Sequence, residues 1–242
     1  MVKPGNSPHT YEPKPSQMID ISKADFYFAI GVEFEHVWLS KFQNLNSKMK
    51  IIDITKGIKK QSMQQEHHNC SAHGTHDHGS ESLDPHSWTS PMNVKIMAMN
   101  IYEALVGIDE KNKNYYKINL EVFLTSIDNT DMKIKSLLSN YSSSRTFMVF
   151  HPSWGYFAKD YYLEQIAVEI EGKNPKPKEL VALIKKAKVK KVTAIFTQPE
   201  FSDASAKIIA NELNIPVVKI SPMAVNWSEN LINMAQAISG QK

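Results

Sequence analysis

Nine histidines are spread unevenly over the 242 residues, and their settings sort them into three groups. His67, His68, His73, His76 and His78 crowd into one polar stretch. His36 falls in a helical run after Val32-Glu33-Phe34-Glu35. The remaining three stand at boundaries between elements. His9 lies in Pro8-His9-Thr10-Tyr11-Glu12-Pro13, His86 in Asp84-Pro85-His86-Ser87-Trp88, and His151 directly after the apolar run Thr146–Phe150. A neutral imidazole is a good ligand for Zn²⁺, and three of them from separate rigid elements would fill three of four tetrahedral positions. A residue just past the carboxyl end of a parallel strand, as His151 is, sits where open α/β sheets bind ligands. Taken singly, each of these histidines is an ordinary polar residue at a loop; the trio is what points to a metal.

The crowded stretch, Gln61 to Leu83, contains QQEHHNCSAHGTHDHGSES and no apolar stripe, which reads as a mobile loop. Five histidines there make weak accessory metal collection the favoured chemistry. The single cysteine, Cys70, excludes an internal disulfide. A complete zinc-finger pattern of paired cysteines followed by paired histidines is absent, so the loop is not read as a structural zinc site.

The elements that must position the three boundary histidines alternate between strand and helix. In the second half, Thr146–Phe150, Gln165–Ile170, Val192–Phe196 and Val217–Ile220 are short apolar runs suited to strands. Between or after them, Pro177–Lys188, Ser202–Leu213 and Asn226–Ile238 carry helical stripes. That alternation predicts a parallel sheet with helices on both faces. The first part repeats the grammar: a short helix capped by Ser16, a strand over Asp25–Ile30, a helix over Glu35–Phe42 and a strand over Ile51–Ile54. Ser90 with Pro91 opens a helix whose stripe is Val94, Met97, Ala98, Ile101 and Leu105. A second long pattern, from about Asn112 to Asn140, would extend roughly 42 Å. The predicted fold is therefore α/β: an N-terminal lobe over 1–110 carrying the histidine-rich loop 61–83, a linking helix over 111–141 and a C-terminal lobe over 142–242.

Composition adds exclusions. Hydrophobic residues make up 42% and charged residues 22%, an ordinary globular balance. The 28 basic and 25 acidic side chains leave a net charge of +3, too small to argue for nucleic acid or an anionic membrane. No run approaches the ~20 apolar residues of a membrane-spanning helix, and no secretory signal is visible at the start.

PHTYEPKPSQM (8–18), KADFYFAIGVEFEHVW (23–38), LDPHSWTSP (83–91), FHPSWGYFAKDYYLEQIAV (150–168), IFTQPEFS (195–202) and VVKISPMAVNW (217–227) together resemble the zinc-binding ZnuA-type solute-binding proteins of ABC importers. The resemblance runs through the whole chain in order. It implies two α/β lobes joined by one long rigid helix, with the metal in the cleft between lobes. It assigns His9, His86 and His151 as the tight-site ligands, and a loop such as 61–83 is typical of the zinc members. It further implies Zn²⁺ as cargo, a membrane permease as partner, a periplasmic or cell-surface location and a monomer with no organic substrate.

Two departures accompany it. Where many relatives supply an aspartate before the late proline, this chain has Ser221, so water or a loop histidine is expected as fourth ligand, with Glu200 a lesser candidate. Relatives also carry a βαβ-sized piece of roughly 30 residues ahead of the first PH motif, which suggests an N-terminal truncation here. Three other functions share some of these features. A manganese or iron site of the same importer class would be richer in carboxylate oxygens. A zinc hydrolase would need a general base near the metal-bound water, and no H-E-x-x-H or similar pairing exists. A zinc buffer would show several weak sites in place of one tight one.

Overall fold

The computed structural model describes residues 1–2, 6–63, 83–139, 145–170 and 172–240. It forms two compact units, Met1–Lys59 with Ser90–Asp131, and Lys60–Thr89 with Met132–Lys242. The chain enters the second after Lys59, returns to the first at Ser90, and crosses again inside one long helix, after Asp131. No helix among the described residues is long and apolar enough to cross a membrane.

The first unit opens with helix α1 (Pro15–Ile21). Lys14, not Ser16, occupies its cap position, with Pro15 first in the helix. The fixed φ of proline suits that first position, which places Ser16 inside the opening turn. Strand β1 (Phe26–Ala29), helix α2 (Glu33–Leu45) and strand β2 (Lys50–Asp53) make a parallel βαβ unit, with Phe26 opposite Lys50. The chain leaves β1 through Gly31 at φ +86°, a left-handed conformation that favours glycine. The buried Glu35 carboxylate holds this turn, accepting hydrogen bonds from the backbone N–H groups of Ile30, Gly31 and Val32 and from the Tyr27 hydroxyl. Burial, and then the adjacent Glu35 charge, push the Tyr27 hydroxyl far above the usual phenol range.

Helix α3 (Pro91–Val106) begins as its sequence suggests: Ser90 Oγ accepts from the Asn93 N–H at 3.1 Å and Pro91 follows the cap. Helix α4 (Lys113–Ser139) has 27 residues, about 40 Å at 1.5 Å per residue. Of its apolar residues, Ile127, Ile134 and Leu138 are buried, whereas Phe123 stays 46% exposed. Phe123, Tyr116 and Leu120 instead line an open apolar groove of about 410 Å³ with Ile101, Tyr102 and Leu105 of α3.

The second unit is a four-stranded parallel sheet in the order β4-β3-β5-β6. Its strands are β3 (Thr146–Val149), β4 (Glu164–Ala167), β5 (Ile195–Thr197) and β6 (Val217–Lys219). Successive side chains point to opposite faces, so near-continuous apolar strands can feed two cores. Phe147, Val149 and Phe196 meet Ile134 and Leu138 of α4 and Leu231, Met234 and Ile238 of α8 (Trp227–Ser239). Met148, Ile166 and Ile195 meet Leu183 of α6 (Pro177–Val189) and Ile209 of α7 (Ala204–Leu213) on the other face. β5 starts three residues later than its apolar run, because Val192 is tied back to the end of α6. The Val192 N–H donates to the Ala187 carbonyl at 3.1 Å, while Lys191 turns through φ +53°. The short helix α5 (Gly155–Asp160), next to His151, has no counterpart in the sequence reading.

Candidate metal centre

Strand register places His151. Val149 of β3 pairs with Ala167 of β4, and the ladder continues through Val168 N–H to Val149 C=O and Glu169 N–H to Phe150 C=O. Two residues beyond the Val149–Ala167 pair, His151 therefore faces Glu169. The His151 Nδ1 lies 2.7 Å from Glu169 Oε1, and both residues are buried. Gln198, one residue past β5, clamps the same backbone: its Oε1 accepts from His151 N–H at 3.3 Å, and its Nε2 donates to His151 C=O at 2.9 Å. The Phe201 ring stacks on the imidazole with centroids 5.2 Å apart.

His86 is held by its own motif. Asp84 Oδ1 accepts from the His86 backbone N–H at 3.0 Å and lies 2.8 Å from its Nδ1, while Oδ2 accepts from Gln61 Nε2 at 3.2 Å. Asp84 and His86 are each 1% exposed. The Tyr156 hydroxyl of α5 donates to the Asp84 carbonyl at 3.1 Å, and burial raises its pKa. Gly155 permits this approach: a Cβ there would stand 2.7 Å from Gln61 Nε2 and 2.8 Å from Asp84 Oδ2. The glycine of HPSWGYF thus makes room for the carboxylate of DPH.

These supports bring His86 and His151 together, with ring centroids 5.2 Å apart at 70°. Each Nδ1 lies against a carboxylate, which fixes the orientation of the ring and makes Nε2 the atom that a metal would meet. Two buried imidazoles prepared in this way, each with a carboxylate behind it, suit a divalent cation. His9, in the first unit, shows the same pattern, with Nδ1 2.8 Å from Glu33 Oε2. Phe34 N–H donates to the Pro8 carbonyl at 3.3 Å and ties that turn to α2. His36 is exposed on α2. The five loop histidines, His67 to His78, lie outside the described residues.

Sequence reasoning named the imidazoles but missed Asp84, Glu169, Gln198 and Gly155. Asp84 could have been found as the residue two before His86 in DPH, and Glu169 by extending β3–β4 pairing past the strand ends. Replacing Asp84 by Asn, close to isosteric, removes the charged acceptor from His86 Nδ1. Metal affinity should fall about 10- to 100-fold, as is usual for such supporting carboxylates. Calorimetric titration reads the loss, and an unchanged far-ultraviolet circular dichroism spectrum assigns it to the site.

Parallel-sheet units traversed by one long helix, with imidazoles braced by carboxylates, define a metal-binding α/β protein. The chain belongs to the family described as zinc-uptake complex component A, periplasmic, whose model matches residues 1–239. A crystal structure of ZnuA superposes with a TM-score of 0.87 at 39% identity, covering 99% of this chain and 88% of that one. A ZnuA deletion mutant with zinc bound gives a TM-score of 0.86 at 39% identity, covering 98% and 86%. Among curated proteins, the manganese ABC transporter substrate-binding lipoprotein PsaA of Streptococcus pneumoniae is 27% identical over 229 residues, 90% of this chain and 69% of its own length. A putative metal-binding protein of Chlamydia muridarum is 27% identical over 240 residues, 99% and 81%. The chain is thus a metal-binding substrate-binding component of an ABC transporter, a transport role.

Proposed function

We propose that this protein captures one Zn²⁺ on His9, His86 and His151 and delivers it to the membrane permease of an ABC importer, working in the periplasm or at the cell surface as a monomer. The observation that carries the reading is the buried His86–His151 pair with each Nδ1 committed to a carboxylate. His9, backed by Glu33, is the third donor, and water or a loop histidine takes the fourth position. Nitrogen donors suit zinc, whereas manganese prefers oxygen. The similarity to ZnuA at 39% identity supports the same choice. Several relatives near 28% identity are named for manganese, which makes manganese the rival cargo. No nucleic acid or organic substrate enters this role.

Titration calorimetry with Zn²⁺ and Mn²⁺ tests the proposal. One tight zinc site with much weaker manganese binding is expected; tighter manganese binding, or no tight site at all, overturns it. The same titration resolves the loop, for which weak accessory binding by His67, His68, His73, His76 and His78 is proposed. Deleting residues 64–80 should leave the single tight zinc and remove the weak ones. Those weak sites should also fade below about pH 6, because protonation of an unperturbed imidazole removes its lone pair.

A further inference from the structure

Helices α5, α6 and α7 all stop at one end of the second unit, just ahead of strands β4, β5 and β6. They stop in the same way. An apolar residue past each helix donates its N–H back into it: Leu163 to the Ala158 carbonyl at 2.7 Å, Val192 to Ala187 at 3.1 Å and Ile215 to Ala210 at 3.0 Å. Such an ending needs a left-handed residue one place earlier, usually glycine or asparagine. Here those residues are Tyr162 (φ +55°), Lys191 (φ +53°) and Asn214 (φ +54°), the only non-glycine residues with positive φ among those described. Asparagine is ordinary in that place. Tyrosine and lysine strain the backbone, because the Cβ crowds the following carbonyl.

Packing does not offset the strain at Tyr162, which is 84% exposed. Val189, the last residue of α6, is 80% exposed. The two loops are tied together by the ion pair of Lys190 Nζ with Glu164 Oε2 at 2.7 Å, one residue after Val189 and two after Tyr162. Around them the end of α6 reads KKAKVKK, five lysines between 185 and 191. With Arg145 and Lys159 they outnumber the acidic Asp160, Glu164 and Glu212 of the same end, a local excess that the near-neutral chain conceals. Glu164 and Glu212 are engaged by Lys190 and Lys188 only in exposed ion pairs, which are weak. The helix dipole accounts for lysines in the last turn of α6, but not for Lys191 beyond it or for the bare Val189 and Tyr162.

We propose that this end of the second unit is a contact surface for an anionic phospholipid bilayer. Tyr162 and Val189 enter the boundary between headgroups and acyl chains, and the surrounding lysines meet the phosphates. A lysine stem can lie along apolar surface while its ammonium stays in the headgroup layer. A protein partner fits less well, because the centre of a protein interface is depleted of lysine, and here the two apolar tips stand among lysines. His151 lies past the carboxyl end of β3, the opposite end of the same sheet, so the contact leaves the imidazole end of this unit turned away from the bilayer. The periplasmic or cell-surface role proposed above, on which this rests, puts such a bilayer within reach.

Co-sedimentation of the full chain with vesicles tests the contact, using phosphatidylglycerol mixed with phosphatidylethanolamine against phosphatidylcholine alone. Binding to the anionic vesicles only is expected, falling at least about tenfold as salt rises from about 0.1 to about 0.5 M. Tyr162→Gly combined with Lys191→Gly separates binding from folding. Glycine relieves both left-handed positions, so the melting temperature should hold or rise, while vesicle binding should fall at least about tenfold. Val189→Ser, at an exposed position, should weaken binding several-fold at an unchanged melting temperature. Wild-type vesicle binding in the double glycine variant, equal binding to neutral vesicles, or equally tight binding to polyglutamate overturns the proposal. Zinc titration of the same samples should give one affinity throughout. A chain that binds zinc but not vesicles loses only this contact, and one that binds vesicles but not zinc loses only the capture function.

Discussion

His86→Ala and His151→Ala should each abolish tight zinc binding while leaving the chain folded. Each substitution removes one of few inner-sphere bonds and also strands a buried carboxylate, Asp84 or Glu169, whose imidazole partner is gone. Loss of a supporting carboxylate alone costs about 10- to 100-fold, so loss of the ligand it supports should exceed a hundred-fold, on the order of 3 kcal/mol or more. His36→Ala is the matched control, because that side chain is exposed on α2. Competition titration against a zinc chelator measures all three. Wild-type affinity in His86→Ala would remove the centre from where we place it; a hundred-fold loss in His36→Ala would point to α2 instead.

Trp154→Ala should cost the second unit about 3–5 kcal/mol, the range for emptying a large aromatic site in a core. Trp154 is fully buried, edge-to-face with Phe157 at 6.1 Å, in the cluster that includes Phe147 and Leu231. Its indole N–H has no hydrogen-bond partner among the described residues, so the loss is one of packing. The backbone contributes separately, through Trp154 N–H donating to Gln165 Oε1 at 2.8 Å, and survives the substitution. Trp154→Phe, which keeps most of the volume, should therefore recover more than half of the loss. Urea unfolding followed by fluorescence and circular dichroism checks both variants. A loss below about 1 kcal/mol would mean that the surrounding side chains close the cavity. Because Trp154 lies three residues after His151, the alanine variant should also bind zinc less tightly.

Much of the fold was legible along the chain because it rests on local, periodic signals. The Ser90-Pro91 start of α3 appears in the structure with its side-chain cap formed, since a cap depends on residues within one turn. Alternation of apolar runs with helical stripes anticipated all four strands of the second sheet and α6, α7 and α8. Misreadings fell where a nearby constraint outranked the pattern. Pro15 took the first helical position ahead of Ser16, and Val192 closed α6 before β5 could begin. Periodicity marks a face without saying what covers it: along α4, Ile127, Ile134 and Leu138 are buried, whereas Tyr116, Leu120 and Phe123 line an open groove.

By itself the sequence determined which side chains could bind metal and in what order they arrive: a PH turn, a DPH turn and a histidine after an apolar strand. It also determined that strands and helices alternate, which is enough to name an α/β protein. Only the tertiary structure decided what stands behind those imidazoles. Glu169 reaches His151 because parallel pairing of β3 with β4 brings residues 18 positions apart face to face. Gln198 clamps the His151 backbone from the next strand, 47 positions away. Gly155 matters because α5 passes close to Asp84, a contact between segments that are distant in sequence. A ligand's identity is a property of its residue type and local turn. The orientation that makes it a good ligand comes from partners supplied by strand order, register and packing, which no local window of sequence contains.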